Sequence, residues 1–242
     1  MNILGIIPAR YASSRFPAKA LAEIDGKTMI QRVMEQSQKA KSLRRVVVAT
    51  DHEAIADHVR SFGGEVVMTS ENHQSGTDRC FEALQMAHDS FDYVINIQGD
   101  EPFIKPEQID LLASVLDGNT ELATLVKKIG DPAVLFSTST PKVVLNSRGE
   151  ALYFSRQTLP FLRERQPEDW LNQHIFYKHI GIYAYRSDIL AQITQLPPSL
   201  LEKAEALEQL RWLENGYRIR CVVTELDSFG IDTPEDLERL SK

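Results

Sequence analysis

Over the first 116 residues, four short β-branched runs alternate with four amphipathic patterns: Ile3–Ile7 then Met29–Ala40, Arg45–Ala49 then Glu53–Phe62, Glu65–Met68 then Asp78–Ala87, and Tyr93–Ile97 then Pro106–Leu116. Strands separated by single helices cannot pair as hairpins. They require crossover connections, and hence a mainly parallel sheet covered by helices. The punctuation agrees: Gly63-Gly64 follows the second helical pattern, Ser75 or Thr77 is placed to cap the third, and Pro106 suits the first turn of the fourth. Beyond about residue 120 the rhythm tightens. Strand-like runs at Leu122–Lys127, Lys142–Leu145, Ala151–Ser155 and His179–Tyr185 predict a mixed or antiparallel extension. Helical patterns return at Asp188–Ile193 and Leu200–Glu214, before a strand at Arg218–Val223 and a last helix from Pro234. The expected architecture is a single α/β domain over 1–242. Its nucleotide-binding part covers about 1–120, a mixed-strand sub-domain about 121–200, and a return to the core about 201–242.

In an open α/β sheet, ligands bind outside the carboxyl ends of the strands. The first strand runs there into Pro8-Ala9-Arg10-Tyr11-Ala12-Ser13-Ser14-Arg15-Phe16-Pro17-Ala18-Lys19. Arg10, Arg15 and Lys19 would repel one another without an anion between them, and polyphosphate oxygens accept both a guanidinium fork and an ammonium. Small residues such as Ala9, Ser13 and Ser14 also let backbone N–H groups approach. A solvated basic loop is the plainer alternative. Neither GxxxxGK[ST] nor GxGxxG occurs, which argues against a Walker-type NTPase and a dinucleotide-binding oxidoreductase.

Charge sharpens this reading. Lys and Arg number 27 against 34 Asp and Glu, a net −7, so the general attraction needed by a nucleic-acid binder is missing. No apolar stretch is long enough to cross a membrane and no signal-peptide pattern opens the chain, so the expected setting is cytoplasmic, without membrane insertion. Cys80 and Cys221 lie outside any CxxC spacing and read as buried thiols.

Three other segments at strand-to-helix junctions carry chemistry. In Asn96-Ile97-Gln98-Gly99-Asp100-Glu101-Pro102 an apolar strand ends in carboxylates. Asp100 facing a polyphosphate loop would need a bridging cation, and Mg²⁺ suits it by taking most oxygens from phosphates and water. A second carboxylate is Asp232 in Gly230-Ile231-Asp232-Thr233-Pro234, a position that helix capping explains equally well. In His73-Gln74-Ser75-Gly76-Thr77-Asp78-Arg79 a glycine and a helix N-terminus offer N–H donors to a base edge or a phosphate, although capping alone accounts for the same residues.

Taken in order, these segments resemble the cytidylyltransferases that activate 3-deoxy-D-manno-octulosonate (KDO). The resemblance also runs through Val48-Ala49-Thr50-Asp51, Ala151-Leu152-Tyr153-Phe154-Ser155-Arg156, His179-Ile180-Gly181-Ile182-Tyr183, Leu207-Glu208-Gln209-Leu210-Arg211 and Asp232-Thr233-Pro234-Glu235-Asp236, and so spans essentially the whole chain. It implies a Rossmann-like nucleotidyltransferase that joins CTP and KDO into CMP-KDO and pyrophosphate. Arg10, Arg15 and Lys19 would then hold the triphosphate. Ala9, Thr50, Asp51, Ser75, Gly76, Thr77 and Arg79 would surround the nucleotide, and Asp100 and Asp232 would ligate Mg²⁺. The sugar acid would lie between Gln98, Arg156, His179, Tyr183, Glu208 and Gln209, with Arg156 on its carboxylate. A homodimer through the mixed-strand sub-domain is also implied. Related acceptors, 8-amino-KDO or sialic acid, and a non-catalytic CTP sensor are the alternatives. One departure stands out: the family's first loop usually reads Pro-Gly-Lys-Pro-Leu, and here it is Pro17-Ala18-Lys19-Ala20-Leu21. If position 18 needs positive φ, the added methyl puts nucleotide affinity at issue.

Overall fold

The computed structural model describes residues 1–12, 16–227, 229–231 and 233–240. Its strands are β1 (Ile3–Ala9), β2 (Glu23–Ile24), β3 (Lys27–Thr28), β4 (Arg45–Thr50), β5 (Val66–Met68), β6 (Tyr93–Asn96), β7 (Leu122–Lys128), β8 (Lys142–Leu145), β9 (Ala151–Ser155), β10 (Tyr177–Arg186) and β11 (Ile219–Val223). The helices are α1 (Met29–Ser37), α2 (Glu53–Ser61), α3 (Gly76–Met86), α4 (Pro106–Ala113), α5 (Pro132–Phe136), α6 (Trp170–Gln173), α7 (Ser187–Ile193), α8 (Leu200–Glu205), α9 (Gln209–Glu214) and α10 (Pro234–Leu240).

The predicted alternation is realised. The main sheet runs β11-β7-β10-β6-β1-β4-β5, with β8 and β9 continuing from β10. Contacts of β1 with β4 and β6, of β4 with β5, and of β7 with β11 are parallel. The long strand β10 lies antiparallel between β6 and β7, and pairs at its start with β8. Strands of the parallel half are buried on both faces, which explains their unbroken apolar runs: six of the seven β1 residues are buried and the other, Pro8, half-buried. One apolar layer packs Ile7, Val48 and Ile95 against Val33 and Ile55 of α1 and α2. The other packs Leu4, Ile6 and Val94 against Cys80 and Ala83 of α3, and runs on to Tyr185 and Trp212. Both cysteines lie in that second layer, and burial pushes the Cys221 thiol up to about 12.

Local chemistry sets the ends of the elements. Ser75 accepts from the Asp78 N–H to cap α3, and Pro106 opens α4 as expected. Several features depart from the sequence reading, the short helices α5 and α6 among them. The short β2–β3 hairpin was not foreseen, because two-residue strands leave no periodic signal. The helix expected over 200–214 is two helices, α8 and α9, broken where Ala206 takes a left-handed conformation at φ 51°. Strand β10 begins two residues earlier than predicted and carries a bulge between Ile180 and Tyr183.

Candidate active site

A cleft of about 340 Å³ opens at the carboxyl ends of β1 and β6, where the sheet argument placed it. Ala9, Arg10 and Lys19 line it from the first loop, Ser75, Gly76 and Arg79 from the start of α3, and Gln98, Gly99 and Asp100 from the segment after β6. The loops meet closely. A methyl on Gly99 would stand 2.8 Å from the Pro8 carbonyl oxygen, so only glycine lets this chain segment pass the end of β1. A methyl on Gly76 would stand 3.4 Å from the Pro8 ring.

Lys19 is brought to this cleft by a short 3₁₀ turn over Lys19–Leu21, and the Lys19 ammonium donates to Asp100 at 2.7 Å. Just before it, Ala18 sits at φ 54°, the left-handed region that an alanine side chain resists. The conditional concern about position 18 is therefore met. Its N–H bonds the Tyr11 carbonyl at 3.0 Å, so this strained residue closes the loop on itself.

Arg79 lines the cleft and is also bonded behind it, whereas Thr50 and Asp51 do not line it. Arg79 is 4% exposed, donating to Asp51 at 2.8 Å and to Thr69 Oγ1 at 2.6 Å. Thr50 is fully buried and lies with Asp51 behind the cleft wall. The other Asp51 oxygen accepts from the Tyr11 N–H at 3.3 Å, and Tyr11 stacks on His52 with centroids 3.8 Å apart. This trio thus ties the ends of β4 and β5 to the phosphate-side loop. Removing one partner of so buried a pair costs about 3–5 kcal/mol.

Of the residues expected around the sugar acid, Gln98 lines the cleft, while Arg156, His179, Tyr183, Glu208 and Gln209 lie outside its lining, on a flank on or beside β9, β10 and α9. Gln98 donates to the Gly181 carbonyl within the β10 bulge at 2.8 Å. Thr124 of β7, absent from the sequence reading, reaches into the same bulge, bonding the Ile180 and Ile182 carbonyls and His179 Nε2 at 3.0 Å. A threonine inside an apolar strand gives no signal of this role. Burial lowers the His179 pKa to about 3, so the imidazole is neutral. Its ring neighbours Phe154 and Tyr183, each at 5.2 Å. The Tyr183 hydroxyl and the Gln209 amide nitrogen are buried without a hydrogen-bond partner among the described residues, leaving two polar groups for a ligand on this flank. Glu208 accepts from Thr77 Oγ1 at 2.9 Å and links this flank to α3, while burial raises its pKa.

Arg156 corrects the expectation most. Its guanidinium donates to the carbonyls of Glu205 at 2.7 Å, Ala206 at 3.2 Å and Thr138 at 3.3 Å, and its own N–H reaches the Glu205 carboxylate at 2.9 Å. Here the fork clasps the α8–α9 elbow.

For a divalent cation, Asp100 supplies one hard oxygen donor in the cleft, and no cluster of three or more potential ligands occurs among the described residues. That donor set fits Mg²⁺, which takes its remaining oxygens from phosphates and water, and poorly fits a fully protein-ligated ion. Arg15 and Asp232 lie outside the described residues. Ile231, which precedes Asp232 in sequence, donates its N–H to the Asp100 carbonyl at 2.9 Å.

Such a sheet, with a phosphate-side basic loop and a strand-end carboxylate, defines a nucleotidyltransferase. The model of the cytidylyltransferase family matches residues 4–219. A 3-deoxy-manno-octulosonate cytidylyltransferase of Cytophaga hutchinsonii is 59% identical over 242 residues, covering 100% of this chain and 97% of that protein. One from Geobacter metallireducens is 47% identical, covering 99% and 96%. A solved CMP:2-keto-3-deoxy-manno-octonic acid synthetase complexed with CTP superposes with a TM-score of 0.92 at 41% identity, covering 99% of this chain and 97% of that one. The chain therefore belongs to the cytidylyltransferase family, in its 3-deoxy-manno-octulosonate branch.

Proposed function

We propose that this chain transfers the cytidylyl group of CTP to the anomeric hydroxyl of KDO, releasing pyrophosphate and supplying lipopolysaccharide assembly. The observation that carries the reading is the cleft at the carboxyl ends of β1 and β6, with the buried polar groups of Tyr183 and Gln209 lying outside its lining. A cationic loop and helix N-terminus line it, in a chain similar throughout to enzymes named for this reaction.

In this reading Arg10 and Lys19 hold the triphosphate, and the backbone N–H groups at Ser75 and Gly76 orient the nucleotide. Arg15 extends the same grip. Glu208, Gln209, Tyr183, His179 and Gln98 hold the sugar acid so that its hydroxyl oxygen attacks the α-phosphorus in line with the leaving pyrophosphate. The new O–P bond forms as the α–β phosphoanhydride bond breaks, and the hydroxyl proton is lost to solvent water. Most of the catalysis comes from alignment and fixed charge. Asp100, with Asp232, would hold Mg²⁺, which when bound supplies charge neutralisation at the phosphates.

CTP is a cytoplasmic metabolite, so we place the reaction in the cytoplasm. We further propose that two copies associate through the aromatic cluster of Phe136, Phe161, Trp170 and Phe176, in which Phe161 is 74% exposed.

The deciding experiment is pyrophosphate release with Mg²⁺, CTP and KDO, 8-amino-KDO or sialic acid in turn, and with UTP, ATP or GTP replacing CTP. Release confined to CTP and KDO supports the proposal. Preference for another acid would keep the chemistry and move the acceptor, and CTP binding without release from any pair would point to a sensor.

A further inference from the structure

Lys142, the first residue of β8, is fully buried, and it makes no ion pair among the described residues. Its ammonium instead donates to three backbone carbonyls, those of Ser137 at 2.7 Å, Thr140 at 2.7 Å and Arg156 at 2.6 Å. Burial lowers its pKa, and the nearby Arg156 charge adds to that while Glu205 opposes it. A buried ammonium is costly, and in most proteins a hydrophobic residue of similar length would serve packing better. What an apolar side chain cannot do is gather three converging carbonyls. The lysine head is the one side-chain group with three freely rotating donors and no acceptor.

The three carbonyls belong to two separate segments, the 137–140 loop and the end of β9. Arg156 carries the connection onward. Its guanidinium bonds Thr138 in that loop and Glu205 and Ala206 in the elbow between α8 and α9, while Ser155 Oγ donates to the Glu205 carboxylate at 2.6 Å. The elbow holds Ala206 at φ 51°, a conformation an alanine keeps only when its surroundings impose it. Two residues later Glu208 bonds Thr77 on α3, beside buried Gln209. Lys142 is therefore the inner anchor of a set of bonds that runs through Arg156 and the elbow to Glu208, and through Glu208 to Thr77 at the start of α3.

We infer that Lys142 is a positioning residue for the sugar-acid half of the site, acting through Arg156 and the 205–209 elbow and touching neither substrate. The inference rests on the cytidylyl-transfer reading. It goes beyond that reading in assigning the acceptor geometry to a buried cation remote from the chemistry.

The test is steady-state kinetics of Lys142→Met and Lys142→Gln, varying CTP and KDO separately, with wild-type enzyme beside them and thermal unfolding to confirm that each variant is folded. Leaving three buried carbonyls without a donor should raise the KM for KDO about tenfold in Lys142→Met, with KM for CTP within about twofold of wild type. Lys142→Gln keeps two donors and should fall between. A purely structural role would reduce the active fraction, lowering kcat with both KM values unchanged, and would overturn the inference. Equal increases in both KM values would overturn it as well. If Lys142→Met does not accumulate folded, Lys142→Gln alone carries the same outcomes. Failure of wild-type enzyme to turn over KDO would instead sink the functional reading and leave a recognisably different result.

Discussion

The two sides of the proposed site are held in different ways. The proposed phosphate side is built from segments that leave parallel strands at one edge of the sheet: Arg10 one residue past β1, Asp100 four past β6, and Gly76 eight past β5 at the first turn of α3. The acceptor side is held by long-range polar bonds. Gln98 is joined to Gly181, Thr124 to the β10 bulge, Glu208 to Thr77, and Arg156 to an elbow about 50 residues further along the chain. A parallel sheet delivers its loops to one edge automatically, because every strand end points the same way. An antiparallel insertion has no such default, so its side chains must be fixed by bonds of their own. Each side carries one left-handed alanine. In the phosphate loop it is Ala18, whereas Ala206 sits in a clasp of Arg156, Ser155 and Glu205.

Perturbing one side should therefore act mainly on that side, the Glu208–Thr77 bond being the link between them. Asp100→Asn is expected to have the largest effect, a loss of about 10³-fold or more in kcat with unchanged circular dichroism. A folded Asp100→Asn enzyme with normal turnover would remove Asp100 from the metal site. Lys19→Ala should lower kcat by about 10²-fold with the KM for KDO unaltered, and equal damage to acceptor binding would show that the two sides are not separable. On the other flank, Glu208→Gln should raise the KM for KDO by roughly tenfold while CTP binding, measured by calorimetry, stays as in wild type.

His179 gives the comparison a pH axis. Its pKa is depressed from 6.5 to about 3 by burial, so the unfolded chain binds a proton that the folded one refuses between those values. Its contribution is intact above about pH 6.5 and is lost as pH falls toward 3. Unfolding midpoints measured from pH 7 to pH 4 should thus drop less steeply for His179→Asn than for wild type, and parallel curves would contradict a buried neutral imidazole. The smallest change belongs to the phosphate loop. Ala18→Gly relieves a left-handed alanine at some cost in chain entropy, so a gain of about 0.5–1 kcal/mol, or roughly 2–3 °C, is expected with a modest fall in KM for CTP. A destabilised Ala18→Gly would mean that the methyl makes contacts outweighing its strain.

Much of the parallel half could be read from the chain itself. Alternating apolar runs and helical periods fixed the βα order, because both periodicities follow from backbone geometry within one element. Arg10, Lys19, Ser75, Gly76 and Asp100 were identifiable because strand-end position and residue chemistry coincide within a few residues. The tertiary structure alone decided the rest. It turned Arg79 and Asp51 into an internal brace, placed Thr124 in the β10 bulge, split the 200–214 helix at Ala206, and spent the Arg156 fork on carbonyls. Each of these depends on which buried polar groups meet across dozens of residues. Burial makes such meetings obligatory, but only the packed fold determines which partner satisfies each group.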